Sequence, residues 1–492
     1  MFEDWSSFAV EVVEAVEAVE AVDSINAVAA IDLHVEVDTA DGRRIGLERA
    51  LRAAIRSGRL APGTPLPSTR GLAAELGFAR GTVTSAYDQL VAEGFLIARQ
   101  GAATRVAELP GSVARDGSGS APALARPRFD LSPGLPDVSA FPTAAWLRST
   151  RRVLTTAAPV DVHGAGDPQG RLELRTTLAE HLGRTRGVLT TPDRIVITSG
   201  FYQSLGLLGS VLAETAGVRA VAMENPGHDT YRDVVRRTGH TIVPLPVDAA
   251  GARLERLADP AVGAVVLTPA HQYPTGVPLR PARRHEVCAW ARASGGLIVE
   301  DDYDGEFRYD RRPIGALQGM APEHVAYCGS VSKTLGPGLR LAWLALPRHL
   351  VEPVVRAKLH ADWHTQGLGQ LVLADLLARH DYDRHVRAMR LNYRRRRTHL
   401  IRRLTTEHPW AGAEFTGVPA GLHVLLTLPP NAPTEPELLS RAAAHGIALR
   451  GVRNLWHNAQ APTQGVLIGF AAPPLHTWPA AVEALTAVLG ER

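Results

Sequence analysis

From Phe129 onward, short runs that are apolar at nearly every position alternate with stretches of helical periodicity, and RIVIT, AVVLT and GLIVE are the clearest of them. A run without polar alternates belongs to a strand covered on both faces, and the helical stretches between such runs supply the cover. A chain with that rhythm is confined to α/β architecture, with strands mostly parallel because each crossover carries a helix. The pattern predicts one large α/β domain on a mostly parallel sheet over residues 129–492.

At 492 residues the chain is too long for one ordinary domain, so a smaller module is expected ahead of the large one. No uninterrupted apolar run reaches the ~18 residues that a membrane helix requires, so no membrane span is expected. The N-terminal stretch is acidic where a secretory signal needs a basic start. Cys288 and Cys328 form neither a disulfide framework nor a metal-ligand spacing, which fits a cytoplasmic protein with inert thiols and no metal.

Net charge is +3, unevenly spread. Residues 1–40 hold ten acidic residues and no Lys or Arg, whereas residues 41–106 hold ten Arg against five acidic residues. A basic block of this kind suits a polyanionic partner, although a solvated basic surface would have the same charge.

Within residues 1–30 the run VEAVEAVEAV has a period of three and no stable apolar face, and it reads as a disordered acidic tail or as the product of an upstream start codon chosen in error. Residues 31–106 are patterned. In GLERALRAAIRSGRL, Leu47, Leu51 and Ile55 recur every four residues and Gly58 ends the helix. Pro62, Pro65 and Pro67 then hold an extended approach, and Ser68 is placed to cap a second helix that Gly77 closes. A third helix runs from about Arg80 to Glu93, and FLIARQGAATRVA reads as two short strands around Gly101. Residues 107–128, rich in Gly, Ser, Pro and Ala without periodicity, read as a flexible linker.

Three helices followed by a two-stranded wing make a winged helix-turn-helix, which sets the start of its last helix against base edges and phosphates. From SGRLAPGTPLPSTR to GAATRV the chain resembles GntR-type winged-helix domains, with helices, turn and wing in matching order. The resemblance implies double-stranded DNA as partner. It implies contacts from Arg70 on the second helix, from Arg80, Thr82 and Thr84 on the third, and from Gln100 and Gly101 in the wing. Arginine grips phosphate or guanine with two donors, and threonine offers a short hydroxyl or methyl. Tyr87, Leu90 and Phe95 are expected in the core.

Three segments of the large domain carry polar groups at the ends of apolar runs: GLIVEDDYDGEF, SVSKTLGPGLRLAW and ITSGFYQSL. The last places Gly200 at a strand-to-helix junction, whose free N–H groups suit a dianion. Residues 129–490 resemble fold-type I aminotransferases, and the resemblance implies pyridoxal 5'-phosphate (PLP) as cofactor. It makes Lys333 the Schiff-base lysine of an internal aldimine, Asp301 the acid at the ring nitrogen with Asp302 as rival, and Tyr303 the partner of the phenolic oxygen. Ser330, Ser332 and Arg340 gather the phosphate on this reading. Gly200, Phe201 and Tyr202 lie on the phosphate side by position.

The chain departs from the usual text of that family at four places. His228 in ENPGHDTY stands where a tyrosine stacks on the ring, which assigns stacking to His228. Ala165 in HGAGDPQG stands where a tyrosine reaches the partner subunit's phosphate. In PAHQYPTG, Tyr273 takes the place of an asparagine and leaves His271 and Gln272 as substitutes near the ring oxygen. GVLIGFA is apolar where many aminotransferases carry the arginine that holds the substrate carboxylate, so Arg450 or Arg453 would hold an effector; both also read as surface arginines. The basic run RLNYRRRRTHLIRR reads as a solvated helix face.

The combination resembles the MocR-type branch of GntR regulators. That implies a homodimer, head-to-tail, with two DNA modules reading two half-sites. It also implies a transcription factor that answers through Lys333 to a small amine or amino acid, or to PLP itself. The alternatives are a working PLP-dependent aminotransferase with an appended DNA-binding module, and a regulator for which PLP is a co-repressor or co-activator without chemistry.

Overall fold

The computed structural model describes residues 37–99, 102–108, 127–214, 218–310, 314–407, 410, 412–458 and 463–490. The expected tail 1–30, Gln100, Gly101 and nearly all of the expected linker lie outside the described residues. The chain divides into two compact units, Met1–Ala125 and Arg126–Arg492.

In the first unit, α1 (Arg43–Arg56), α2 (Thr69–Glu75) and α3 (Arg80–Ala92) precede the antiparallel pair β1 (Leu96–Ile97) and β2 (Arg105–Val106). Leu47 and Leu51 of α1 are fully buried against Leu72, Val83 and Leu90. The Ser68 hydroxyl accepts from the Gly71 N–H at 3.0 Å, the cap that its position before TRGL predicts. The Tyr87 hydroxyl donates to the Pro67 carbonyl at 3.0 Å and ties α3 to the extended approach. Tyr87 and Leu90 are core residues, as expected, and Phe95 lies half-buried with Arg52 and Arg56 over its ring.

The second unit, in which the short strand β3 (Phe129–Asp130) pairs in parallel with β14 (Ile447–Ala448), is built on an eight-stranded sheet. Its chain-order strands are β4 (Ile195–Thr198), β5 (Ala220–Asn225), β6 (Thr241–Asp248), β7 (Gly251–Ala252), β8 (Val262–Leu267), β9 (Leu297–Asp301), β10 (Val325–Ser330) and β11 (Ala342–Ala345). They lie in the order β4-β11-β10-β9-β8-β5-β6-β7. The five strands from β10 to β6 are mutually parallel, and β11 and β7 run against their neighbours. RIVIT, AVVLT and GLIVE supply β4, β8 and β9, and every residue of β4 and β9 is buried.

The remainder forms a second layer that the alternation did not predict. Strands β12 (Glu414–Thr416), β13 (His423–Leu428), β15 (Arg450–Gly451) and β16 (Gln464–Gly469) form an antiparallel sheet ordered β12-β13-β16-β15. The expected single α/β domain is thus a mostly parallel sheet plus a smaller antiparallel lobe. GVLIGFA runs through the buried strand β16 and ends on the equally buried Phe470 and Ala471.

The basic run of residues 390–403 lies on the long helix Asp381–Glu407 and is not a uniformly solvated face. Arg396 is 2% exposed, with its guanidinium 2.9 Å from Asp137 and donating to the carbonyls of Ala471 and Pro473. A charge can be buried there because a carboxylate and two carbonyls answer it. Among the described residues no helix is long and apolar enough to cross a membrane.

Candidate cofactor site and nucleic-acid interface

In a mostly parallel sheet, functional groups gather beyond the carboxyl ends of the strands. Asp301 is the last residue of β9 and is almost fully buried. Burial pushes its carboxyl well above the usual range, Lys333 pulls it down, and Asp302 and Asp304 push it up again. Its Oδ2 is buried without a hydrogen-bond partner among the described residues, and Tyr231 acts on the same side chain, its own hydroxyl pKa raised by burial and by Asp301. The neighbouring Asp302 has no oxygen to spare. Arg186 approaches with Nε 2.6 Å from Oδ2 and Nη2 2.9 Å from Oδ1, and the Tyr327 hydroxyl donates at 2.7 Å. Of the two rival carboxylates, Asp301 keeps an uncommitted oxygen.

Lys333 lies in the turn after β10, close enough to Gly134 that a Cβ there would sit 3.1 Å from Nζ. Gly134 has φ 74°, a left-handed backbone that favours glycine, and a Cβ there would crowd the lysine end. Burial lowers the pKa of Lys333, while Asp301 and Asp304 raise it. The chain has only one other lysine, Lys358, whose buried Nζ is 2.6 Å from Asp362.

At the other end, Gly200 leads into the helix Phe201–Glu214, and a Cβ on Gly200 would meet the Arg340 guanidinium at 3.0 Å. A guanidinium beside the first free N–H groups of a helix makes a site for a phosphate-sized anion. Ser330 ends β10, and its Oγ is 3.4 Å from the Ser332 N–H. The Phe201 ring packs on Tyr231, and the Tyr202 hydroxyl lies 2.6 Å from Thr230 Oγ1, so both side chains engage the helix Asp229–Arg237. Ala165 is exposed.

His228, expected to stack on the cofactor ring, lies here against two tyrosines. Its ring is stacked on Tyr231 and on Tyr273, each with centroids 4.1 Å apart, so neither face is open to a third ring in this arrangement. The cause is Tyr273, which has the reach that an asparagine lacks. Burial and the charges of Lys333 and Arg450 keep the imidazole neutral, with its pKa lowered to about 3. Gln272 serves its own loop: its Nε2 donates to the carbonyls of Pro226 and Tyr273, and its Oε1 accepts from the backbone N–H and hydroxyl of Thr275. His271 Nδ1 lies 2.8 Å from Asp304 Oδ2 and 3.0 Å from the Tyr303 hydroxyl, so Tyr303 and His271 face each other.

Of the two arginines near the C-terminus, Arg450 is brought to this cluster. Its Nη2 lies 2.8 and 2.7 Å from the two Asp229 oxygens, and its charge acts on His228 and Tyr273. The Arg453 side chain is exposed and makes no hydrogen bond or ion pair among the described residues; its backbone N–H donates to Glu435. Sequence reading missed Gly134, Tyr231 and Arg186. The visible signals were the PGLP turn and the Tyr three residues after His228, in the same helical first turn.

In the first unit, Arg70 and Arg80 are exposed at the starts of α2 and α3, and neither has a carboxylate partner among the described residues. Thr82 and Thr84 are half-buried, and the Thr84 hydroxyl donates to the Arg80 carbonyl at 3.0 Å. Two free guanidiniums at adjacent helix starts form a surface suited to a phosphate backbone.

The donor set of the second unit fits PLP: a buried amine, an acid with an open oxygen, and a guanidinium against a helix N-terminus. Residues 129–455 match the family "Aminotransferase class I and II", and residues 46–106 match "Bacterial regulatory proteins, gntR family". The HTH-type pyridoxine biosynthesis transcriptional regulator PdxR of Corynebacterium glutamicum is 30% identical over 87% of this chain and 91% of its own length. The probable rhizopine catabolism regulatory protein MocR of Rhizobium meliloti is 32% identical over 86% of this chain and 89% of its own. Among solved structures, the kynurenine aminotransferase of Pyrococcus horikoshii shares the fold, with TM-score 0.66 at 24% identity over 73% of this chain and 90% of its own. The chain belongs to the GntR family of transcriptional regulators, in the MocR-type branch that joins a winged helix-turn-helix to an aminotransferase-like domain, a family that binds DNA and whose aminotransferase part implies PLP.

Proposed function

We propose that this regulator carries PLP on Lys333 and changes its grip on operator DNA when a small amine or amino acid, or PLP itself, occupies the site. The carrying observation is the buried pair of Lys333 and Asp301, with Asp301 Oδ2 left without a partner. When bound, PLP supplies an aldehyde carbon open to an amine and a pyridine ring that withdraws electrons once its nitrogen is protonated. Lys333 would hold the carbon, Asp301 the ring nitrogen, and Arg340 with the Gly200 helix start the phosphate. Ser330 and Ser332 would stand beside that phosphate end, and Tyr303 and His271 beside the ring oxygen. Because burial lowers the Lys333 pKa, more of its amine is neutral and able to bond at neutral pH.

On this proposal residues 31–106 bind DNA, residues 107–128 link, and residues 129–492 sense. A head-to-tail homodimer gives two reading heads for two half-sites. The complete set of lysine, acid and arginine also supports a second reading, a working aminotransferase. Against that reading, Arg450 Nη2 is held by both oxygens of Asp229 and β16 brings no arginine.

Two outcomes test the proposal. Borohydride reduction of the PLP-loaded protein, followed by peptide mapping, is expected to fix the label on the Lys333 peptide; label on Lys358, or on neither, rejects it. At the DNA end, Arg70→Ala is expected to weaken binding to all sequences alike. It should also flatten the slope of log K against log[salt] by about 0.9 for one lost phosphate contact. Arg80→Ala is expected to cost about 1–3 kcal/mol on the operator if Arg80 reads a base. Fluorescence anisotropy over a salt series reads both, and unchanged slopes and affinities would remove these residues from the interface.

A further inference from the structure

A cleft of about 630 Å³ opens between the C-terminal end of the helix Leu172–Arg186, the segment Gly305–Arg308 and the first turns of the helix Asp381–Glu407. That volume is in the range of small-molecule sites. Five arginines line it, and three are already matched: Arg184 to Asp383 at 2.6 Å, Arg186 to Asp302 at 2.6 Å, and Arg308 to Asp310 at 2.8 Å.

Arg387 and Arg390 are not matched. Each uses Nε on a backbone carbonyl, that of Asp383 at 3.4 Å and that of Glu306 at 2.6 Å, and neither meets a carboxylate within ion-pair distance among the described residues. Three residues apart on one helix, they share a face. Two guanidinium forks opening on one cavity match a ligand with several anionic oxygens, because each fork can give two parallel hydrogen bonds. We propose that this cleft is a second ligand site, for a small organic polyanion bearing carboxylate or phosphate groups, clamped by Arg387 and Arg390.

Glu306 ties the site to pH. Burial pushes its carboxyl up to about 7, Asp302 and Asp304 push the same way, and Arg186 opposes them. Tyr382, whose hydroxyl donates to Thr334 Oγ1 at 3.0 Å, completes the surrounding wall with His181, Asp383 and the two unmatched arginines. A bound anion favours the protonated carboxyl, so binding takes up a proton. Affinity is strongest below the Glu306 pKa and falls by up to tenfold per pH unit above it. The site is one ion pair from the cofactor acids, since Arg186 lines the cleft and holds Asp302 beside Asp301.

The test is calorimetry on the full chain with citrate and with inorganic pyrophosphate, at constant ionic strength held by chloride, on both sides of pH ~7. Saturable binding of either probe is expected, and the tighter one identifies the carboxylate or the phosphate class. The double variant Arg387→Ala, Arg390→Ala should lose at least about tenfold in affinity with its thermal midpoint unchanged. Arg395→Ala, exposed on the same helix but outside the cleft, should bind as the parent does. Glu306→Gln should bind without the pH dependence. No saturable heat with either probe, equal affinity in the double variant, or heat that follows salt alone (an adventitious ion only) overturns the proposal.

Discussion

Arg186→Ala is expected to destabilise the second unit by about 3–5 kcal/mol, the range for removing one partner of a buried ion pair. Both side chains are nearly inaccessible, 7% exposed for Arg186 and 2% for Asp302. Burial alone would lower the arginine pKa, but Asp302 outweighs it and holds the guanidinium above its ordinary value. Without Arg186, the Asp302 carboxylate keeps, among the described residues, only the Tyr327 hydroxyl at 2.7 Å and must be buried charged or take up a proton. Arg184 on the same helix is a matched control: it pairs with Asp383, but it is half-exposed, so Arg184→Ala should cost no more than about 1 kcal/mol. Removing both charges with Arg186→Met and Asp302→Asn should recover much of the loss, since a neutral replacement leaves no orphaned charge. Urea denaturation of the full chain measures all three, and an Arg186→Ala loss no larger than that of Arg184→Ala would contradict the account.

The parts of the fold that sequence reading captured are those set by local chemistry. Leu47, Leu51 and Ile55 declare a helix face, Ser68 its neighbour's cap, and RIVIT, AVVLT and GLIVE three strands of the large sheet. What it missed depends on partners far along the chain. HVLLTL and QGVLIG are as apolar as the parallel strands, and only their pairing with each other makes them an antiparallel lobe. Arg396 reads as solvated until Asp137, 259 residues away, is brought beside it. Asp301 and Asp302 are chemically alike in the sequence, and Arg186, distant in the chain, is what distinguishes them. His228 differs again: the substitution was visible, but the consequence of Tyr273 covering it depends on the fold of two separate loops.

Lys333→Ala is expected to abolish covalent retention of PLP and every effector response that runs through it, while DNA binding by the first unit persists. No other side chain can take over, because the only other lysine, Lys358, is buried and paired with Asp362. The loss also changes the field in the pocket. The cation that pulls the Asp301 pKa down disappears, so a carboxyl already pushed up by burial, Asp302 and Asp304 is pushed further toward the neutral form. A variant that still folds and binds DNA therefore separates sensing from reading.

The most direct measurement follows the visible absorbance of the PLP-loaded full chain and its affinity for operator DNA in one titration with small amines and amino acids, with keto acid assayed at each point. The account predicts, for at least one ligand, a stable absorbance change saturating at one equivalent per Lys333. Operator affinity should shift with it by at least about fivefold, the lower end of ordinary coupling between sites, and keto acid should not exceed the protein. Both responses should be absent from Lys333→Ala. Multiple turnovers to keto acid with operator affinity unchanged, or an effector response that survives Lys333→Ala, would contradict it.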